Sequence, residues 1–346
     1  MADSLLSPAV GMAMCAVSGA AVAFSVAKVK KDDLCEKKIP VIGVMGAFVF
    51  AVQMINITIP ATGSSGHVGG GVMLAALLGA YPALLSLSAV LIIQCLFFAD
   101  GGLLALGCNI FNVGVIPCLF VYPVIFKPLL VKKITAGRIS AASAAAAVVA
   151  LQLGAFAVVL TTRLSGITEL PFGTFLLLMQ PIHLVIGIIE GFVTAAVLCF
   201  VYKMRPEIME STFERTAVKS GASVRNVLVG FVLITLIAGG VLSLFVSPHP
   251  DGLTWSIKKI TGTAEPAIKD SFIEKTTAIQ DKTAFLPDYN FRGTDAESKG
   301  IAASVSGLAG GALSFTLAGV TVLIISLVKR KQKKPKNSGT NTAVSV

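Results

Sequence analysis

Asn56-Ile57-Thr58-Ile59-Pro60-Ala61-Thr62-Gly63-Ser64-Ser65-Gly66-His67-Val68-Gly69-Gly70-Gly71 joins two strongly apolar runs, residues 39–59 and 67–80, through small residues and one imidazole. Glycine and serine let the backbone fold tightly and approach a small ligand, and His67 is the one strong metal-type donor in the stretch. The flanking runs decide the fold class. The second is short and glycine-rich, which predicts a broken or half-penetrating helix, tolerated in a membrane only where protein or a cavity surrounds the freed backbone groups.

Outward from this stretch the same apolar character recurs in nine segments: 8–27, 39–59, 67–80, 82–99, 103–126, 139–161, 174–202, 226–247 and 301–328. Runs of about 20 apolar residues are what a helix needs to cross roughly 30 Å of hydrocarbon with its own backbone hydrogen bonds satisfied. A chain of 346 residues would otherwise suggest two soluble domains, but it is 55% hydrophobic and only 13% charged. That is membrane composition. The expected fold is an all-α integral membrane bundle of about seven spans followed by a two-span module. Almost nothing precedes Pro8 and no basic n-region is present, so the first run does not resemble a cleaved signal peptide. Cys15, Cys35, Cys95, Cys108, Cys118 and Cys199 form no C-x-x-C pair. Five of them lie in apolar segments and read as small buried residues.

The net charge of +10 does not point to nucleic acid, because the basic residues sit between apolar runs. Lys28, Lys30, Lys31, Lys37 and Lys38 lie in one connection, Lys127, Lys132, Lys133 and Arg138 in another. Lys203, Arg205, Arg215, Lys219 and Arg225 occupy a third, and six Lys and Arg residues between 329 and 336 a fourth. Simple alternation puts all four on one side, which the positive-inside rule makes the cytoplasm of a cell-membrane protein. The N-terminus is then expected outside and the C-terminus inside. The opposite face collects residues 1–7, the 60–67 loop, the Asp100-Gly101-Gly102 turn, the 162–173 loop and the polar stretch 248–300.

Four regions follow: 1–205, a charged linker 206–225, a module 226–328 with its outer loop 248–300, and a basic, disordered cytoplasmic tail 329–346. In the outer loop, Leu253, Trp255, Ile257, Phe272, Phe285, Tyr289 and Phe291 are expected to form a modest cluster of their own. No G-x-x-x-x-G-K-[ST] loop, H-E-x-x-H or nucleophile elbow occurs, so nothing supports ATP hydrolysis or another catalytic centre in this chain.

One histidine does not make a metal site. Donors expected on the same face as His67 are the terminal α-amine, Asp3, Asp100, Asn56 and loop amides. Because Ala2 is small, removal of Met1 is expected, which makes the amine that of Ala2 and sets Asp3 beside it. Asn109 and Asn112 are three apart and share a helix face, either lining a polar path or bonding across helices. His183 and Glu190 share a face of the seventh segment, where ionisable groups mark either a transport path or a buried pairing. His249, between prolines, is expected to be an ordinary loop residue.

Gln53-Met54-Ile55-Asn56 through Gly63-Ser64-Ser65-Gly66-His67, the Phe98-Ala99-Asp100-Gly101-Gly102 to Asn109 and Asn112 block, and Pro181-Ile182-His183 with Glu190-Gly191 resemble the CbiM/NikM family. These are the substrate-binding membrane components of energy-coupling-factor cobalt and nickel transporters, and the resemblance spans about residues 4–205. Pro250-Asp251-Gly252-Leu253-Thr254 and Asp288-Tyr289-Asn290-Phe291 resemble the small CbiN/NikN-like partner with its Pro-Asp-Gly-Leu-Glu motif. The resemblance implies a fusion of both components, a transported cobalt or nickel ion without a permanent cofactor, and partners that are a membrane coupling subunit and cytoplasmic ATPases.

Family members typically begin Met-His-Ile-Pro-Asp-Gly-Phe-Leu-Ser-Pro, and the resemblance implies metal binding by the terminal amine, the adjoining amide, the second-position histidine and the loop histidine. This chain begins Met1-Ala2-Asp3-Ser4-Leu5-Leu6-Ser7-Pro8, so that histidine is absent and only His67 carries over. A set of processed amine, Asp3 and His67 is richer in oxygen and is expected to favour cobalt slightly over nickel. Two other function classes stay open: a regulatory or structural membrane subunit without metal binding, and a secondary transporter coupled through His183 or Glu190.

Overall fold

Ser7 and Pro8 start the first span. The Ser7 hydroxyl accepts the Val10 N–H at 3.4 Å, and Pro8 occupies the first helical turn, where its missing N–H costs nothing. In the computed structural model, which describes residues 1–32, 39–60, 62–168, 170–214, 225–264, 270–293 and 299–333, every one of the nine apolar segments is helical. They are α1 (Pro8–Lys31), α2 (Ile39–Gln53), α3 (Gly71–Leu78), α4 (Ala80–Phe98), α5 (Leu106–Leu130), α6 (Ala136–Ser165), α7 (Phe172–Met204), then, after a short α8 (Pro206–Glu214), α9 (Arg225–Gly240) and, last in the chain, Lys299–Lys333. Seven of the helices are long and apolar enough to cross a membrane, and the protein is an all-α membrane protein.

The 206–225 linker is therefore helical over its first nine residues; 215–224 lie outside the described residues. The final helix runs to Lys333, so the first part of the basic tail is ordered, and 334–346, like Cys35, lie outside the description.

The stretch 56–71, expected as a loop, contains an antiparallel hairpin, β1 (Ile57–Ile59) and β2 (Ser64–Gly66), with Ile57 opposite Gly66 and Ile59 opposite Ser64. Beyond it the chain runs extended to α3, whose eight residues are all buried. α3 is short, as expected, and is begun by Gly70 at φ 77°, a left-handed conformation glycine adopts freely. Its neighbour α5 carries Pro117 and Pro123 within a section, Ile110–Phe126, wound more widely than an α-helix, with Lys127 N–H bonding back five residues to Tyr122. Proline removes i→i−4 donors, and the wider winding accommodates the loss. Pro117 sits directly on α3, since a Cβ at Gly71 would lie 2.5 Å from its ring.

One end of the bundle gathers the N-terminus, the hairpin, the 99–105 turn and the segment after α9. Gly102 N–H bonds the Met1 carbonyl at 3.0 Å, Ser247 N–H the Asn56 carbonyl at 3.1 Å, and Phe285 N–H the Phe97 carbonyl at 3.1 Å. At the other end the Tyr202 hydroxyl bonds the Ile134 carbonyl at 3.1 Å and Thr212 that of Leu77 at 3.0 Å. This is the two-sided arrangement that alternation of the nine segments requires.

The segment 248–300, named the outer segment after its expected side, folds in its described residues as α10 (Gly252–Thr261), α11 (Ser271–Thr283) and a short turn Pro287–Tyr289. It does not build the cluster expected of it. Ile257 joins Leu5, Phe175 and Met179, Trp255 packs on Ile59, Ile182 and Ile186, and Phe285 stacks against Phe97 and Phe98, while Phe272 stays exposed. Too small to bury its apolar residues internally, the segment docks on the spans. Cys15 likewise corrects the expectation of burial: it is exposed on α1, whereas Cys95, Cys108 and Cys118 are buried.

The final helix, α12 (Lys299–Lys333), packs on α2 and α9 through glycine. Gly307 and Gly239 touch backbone to backbone, as small residues allow between membrane helices. We expect Gly307→Ala to force α9 from α12 and cost about 1–3 kcal/mol, the usual penalty of overpacking. Thermal unfolding in detergent checks this, and Gly319→Ala, where a Cβ meets nothing within 4 Å, is the control.

Candidate functional site

The polar chemistry of the interior converges where the extended chain meets α3. Glu190 from α7 is 1% exposed and accepts the Gly69 N–H at 2.8 Å and the Gly70 N–H at 3.0 Å. Gly70 is the N-cap of α3 and Gly69 the residue before it, so Glu190 satisfies donors that the start of the helix leaves unpaired. From the other side Gln53 Nε2 donates to the Gly69 carbonyl at 2.8 Å, and Gln94 Nε2 donates to Gln53 Oε1 at 2.9 Å. Gly69 is thus held on both its N–H and its C=O, two residues from His67. Sequence reasoning passed over Gln53 and Gln94 as site-forming residues; lone amides in apolar spans were the available signal.

A cavity of about 170 Å³ opens here, bordered by Met1, His67, Asn109, Asn112, His183 and Glu190 together with Asp251 of the outer segment. Its remaining lining is mostly apolar and glycine. The Met1 amino group donates to Asn109 Oδ1 at 3.0 Å. His183 Nδ1 donates to the Met179 carbonyl at 2.8 Å. Asn112, one turn below Asn109 on the same face, is 7% exposed, and among the described residues neither Oδ1 nor Nδ2 has a hydrogen-bond partner. The pairs expected to share faces, Asn109 with Asn112 and His183 with Glu190, therefore meet at one cavity.

Other candidates stand elsewhere. Asp3 is buried away from the cavity: its carboxylate accepts the Ala105 N–H at 2.8 Å and the Thr276 hydroxyl at 3.1 Å, fastening the N-terminus to the 99–105 turn and to α11. Ala2 offers its carbonyl to Leu5 N–H at 3.3 Å. Asn56 meets the outer segment through its backbone. Asp100 is exposed and accepts the Tyr289 hydroxyl. His249 serves through its carbonyl, which takes the Ser65 hydroxyl at 2.8 Å. Among the described residues no three His, Cys, Asp or Glu side chains stand close enough to hold a metal ion by themselves.

The outer segment closes the cavity. Ser65 N–H bonds the Pro250 carbonyl at 2.7 Å, so Pro250-Asp251-Gly252 runs alongside β2 just before His67. Asp251 caps α10 by accepting the Thr254 N–H at 3.1 Å, and a Cβ on Gly252 would lie 2.6 Å from Ile182.

Tyr289 anchors the far side of this segment by its bond to Asp100 and by stacking on Phe98, centroids 5.1 Å apart. Asp288 and Tyr289 both have positive φ, a conformation costly for bulky side chains and held here by those contacts. Burial, then the Asp100 charge, push the Tyr289 hydroxyl well above the ordinary tyrosine value. A raised folded value means that the neutral donor's contribution is complete below about pH 10, where unfolded tyrosine titrates, and declines above it. We expect Tyr289→Phe to loosen the docked segment by about 1 kcal/mol at neutral pH. Faster hydrogen exchange at the Phe285 and Leu286 amides, both bonded to the Phe97 carbonyl, reads the effect.

Two family matches tile the chain: CbiM, a cobalt uptake substrate-specific transmembrane region, over residues 1–208, and a PDGLE domain over residues 225–327. A putative metal transport protein of Haloquadratum walsbyi is 35% identical over 54% of this chain and 82% of its own. A putative fused nickel transport protein NikMN of Archaeoglobus fulgidus is 33% identical over 51% of this chain and 57% of its own. The crystal structure of a transition metal transporter superimposes with a TM-score of 0.53 at 28% identity, covering 62% of this chain and 99% of that one.

Proposed function

We propose, from the premise that this chain belongs to the CbiM family and carries a PDGLE domain behind it, that it captures Co(II) or Ni(II) at the cavity beside His67 for uptake. It is a metal-transport component of the membrane rather than an enzyme. The observation that carries the reading is the convergence of the terminal amine, that of Met1 in this structure, and His67 on one small cavity under the docked outer segment. Amine and imidazole nitrogen suit late first-row ions and are poor partners for magnesium or calcium. With Asp3 engaged by Ala105 and Thr276, its carboxylate is not there to tilt the donor set toward oxygen, and the preference for cobalt over nickel loses its basis.

The basic residues at the ends opposite the hairpin support a cytoplasmic location for that end, which leaves the cavity on the outer side. Release inward then requires work from outside this chain, and a membrane coupling subunit with cytoplasmic ATPases is the arrangement the reading implies. The test is twofold. Purified chain titrated calorimetrically with cobalt and nickel chlorides is expected to bind stoichiometrically, and absence of binding to both overturns the reading. Uptake of radiolabelled cobalt by vesicles is expected to require coexpressed ATPase subunits; uptake that persists without them supports secondary transport instead.

A further inference from the structure

The cavity contains a second imidazole that the donors named so far leave unused. His183 gives its Nδ1 proton to the Met179 carbonyl at 2.8 Å, which fixes the tautomer and leaves the lone pair on Nε2. Among the described residues Nε2 has no hydrogen-bond partner. The ring borders the same cavity as His67, and its Cε1 lies 3.5 Å from where a Cβ on Gly252 would stand, beneath the Asp251-Gly252 corner. A carbonyl holding Nδ1–H is the usual support of a metal-ligating histidine, because it orients the ring and raises the basicity of the other nitrogen.

Asn112 supplies an independent sign of an occupant. The residue is 7% exposed and borders the cavity, and among the described residues neither polar atom of its carboxamide has a partner. Buried amides are ordinarily bonded, the more so inside a membrane. A polar guest in the cavity satisfies it, and an apolar one does not.

We propose that His183 Nε2 ligates the transported cation together with His67, supplying the imidazole that the N-terminal sequence Met1-Ala2-Asp3 lacks, with Asn112 bonding a water of the ion's shell. This rests on the metal-capture reading above. Two imidazoles from separate elements, one just past the hairpin and one on α7, also make binding sensitive to how these elements approach each other.

The chain has three histidines, His67, His183 and His249, so counting ligating imidazoles decides the matter. The purified chain is loaded with one equivalent of Cu(II), and pulsed electron paramagnetic resonance reads the remote nitrogen of each bound ring. Two imidazoles are expected in the unsubstituted chain and in His249→Gln, and one in His183→Gln. Cobalt affinity of His183→Gln is expected to fall by at least about tenfold, the lower range seen for loss of even a supporting residue. A single imidazole in the unsubstituted chain overturns the proposal without recourse to any variant, as does a count of two in His183→Gln. Failure of the unsubstituted chain to bind copper, cobalt or nickel overturns the metal-capture reading itself and this proposal with it.

Discussion

His67→Ala is expected to lower the affinity of the purified chain for Co(II) and Ni(II) by at least about a hundredfold, close to 2.7 kcal/mol. His67 follows directly on the hairpin, and the segment carrying it is held at Gly69 by Glu190 and Gln53. A ring on so constrained a backbone is preorganised, so little ordering entropy is lost when it binds. The substitution removes that nitrogen and leaves the scaffold intact, because the ring makes no hydrogen bond that the fold needs beyond a 3.3 Å approach to the Val68 carbonyl. Thermal unfolding without metal should therefore match the unsubstituted chain. A drop in affinity below about threefold, under 1 kcal/mol, would remove His67 from the ligand set.

Glu190→Leu is expected to act in the opposite way, on the scaffold first. The carboxylate satisfies two backbone N–H groups at 2.8 and 3.0 Å in a setting where it is itself 1% exposed. The substitution leaves two buried N–H groups unsatisfied, at about 1–3 kcal/mol each, so a loss of roughly 2–6 kcal/mol is expected. Glu190→Gln keeps one acceptor oxygen and turns an amino group toward the other N–H, so about half of that loss is expected. Unfolding of the metal-free chain in detergent measures both. Equal stability of Glu190→Leu would mean that Gly69 and Gly70 find other acceptors, and that the start of α3 is not held as described.

The two substitutions separate what a membrane sequence exposes from what it hides. Lipid demands that each spanning run satisfy its own backbone, so the nine apolar segments found helical among the described residues are legible in consecutive residues, down to the short glycine-rich α3. Helical periodicity likewise puts Asn109 with Asn112 and His183 with Glu190 on shared faces, and all four border the cavity. What each face meets depends on packing between segments distant in sequence. Asp3 looked like a ligand from its place near the terminus, yet Ala105 and Thr276, far along the chain, take its oxygens. Asp100 looked like a candidate on the outer face, yet Tyr289 of the fused module claims it.

The apolar run lengths and the motif blocks determined the membrane class, the nine apolar helical segments and the family, because each run and each block is written in consecutive residues. Only the tertiary structure decided that Glu190 and Gln53 clamp the chain beside His67, that the outer segment docks on the spans rather than folding on itself, and that a second imidazole faces the cavity. A buried polar group takes whichever partner non-consecutive helices bring within hydrogen-bond reach, and that choice is made by packing.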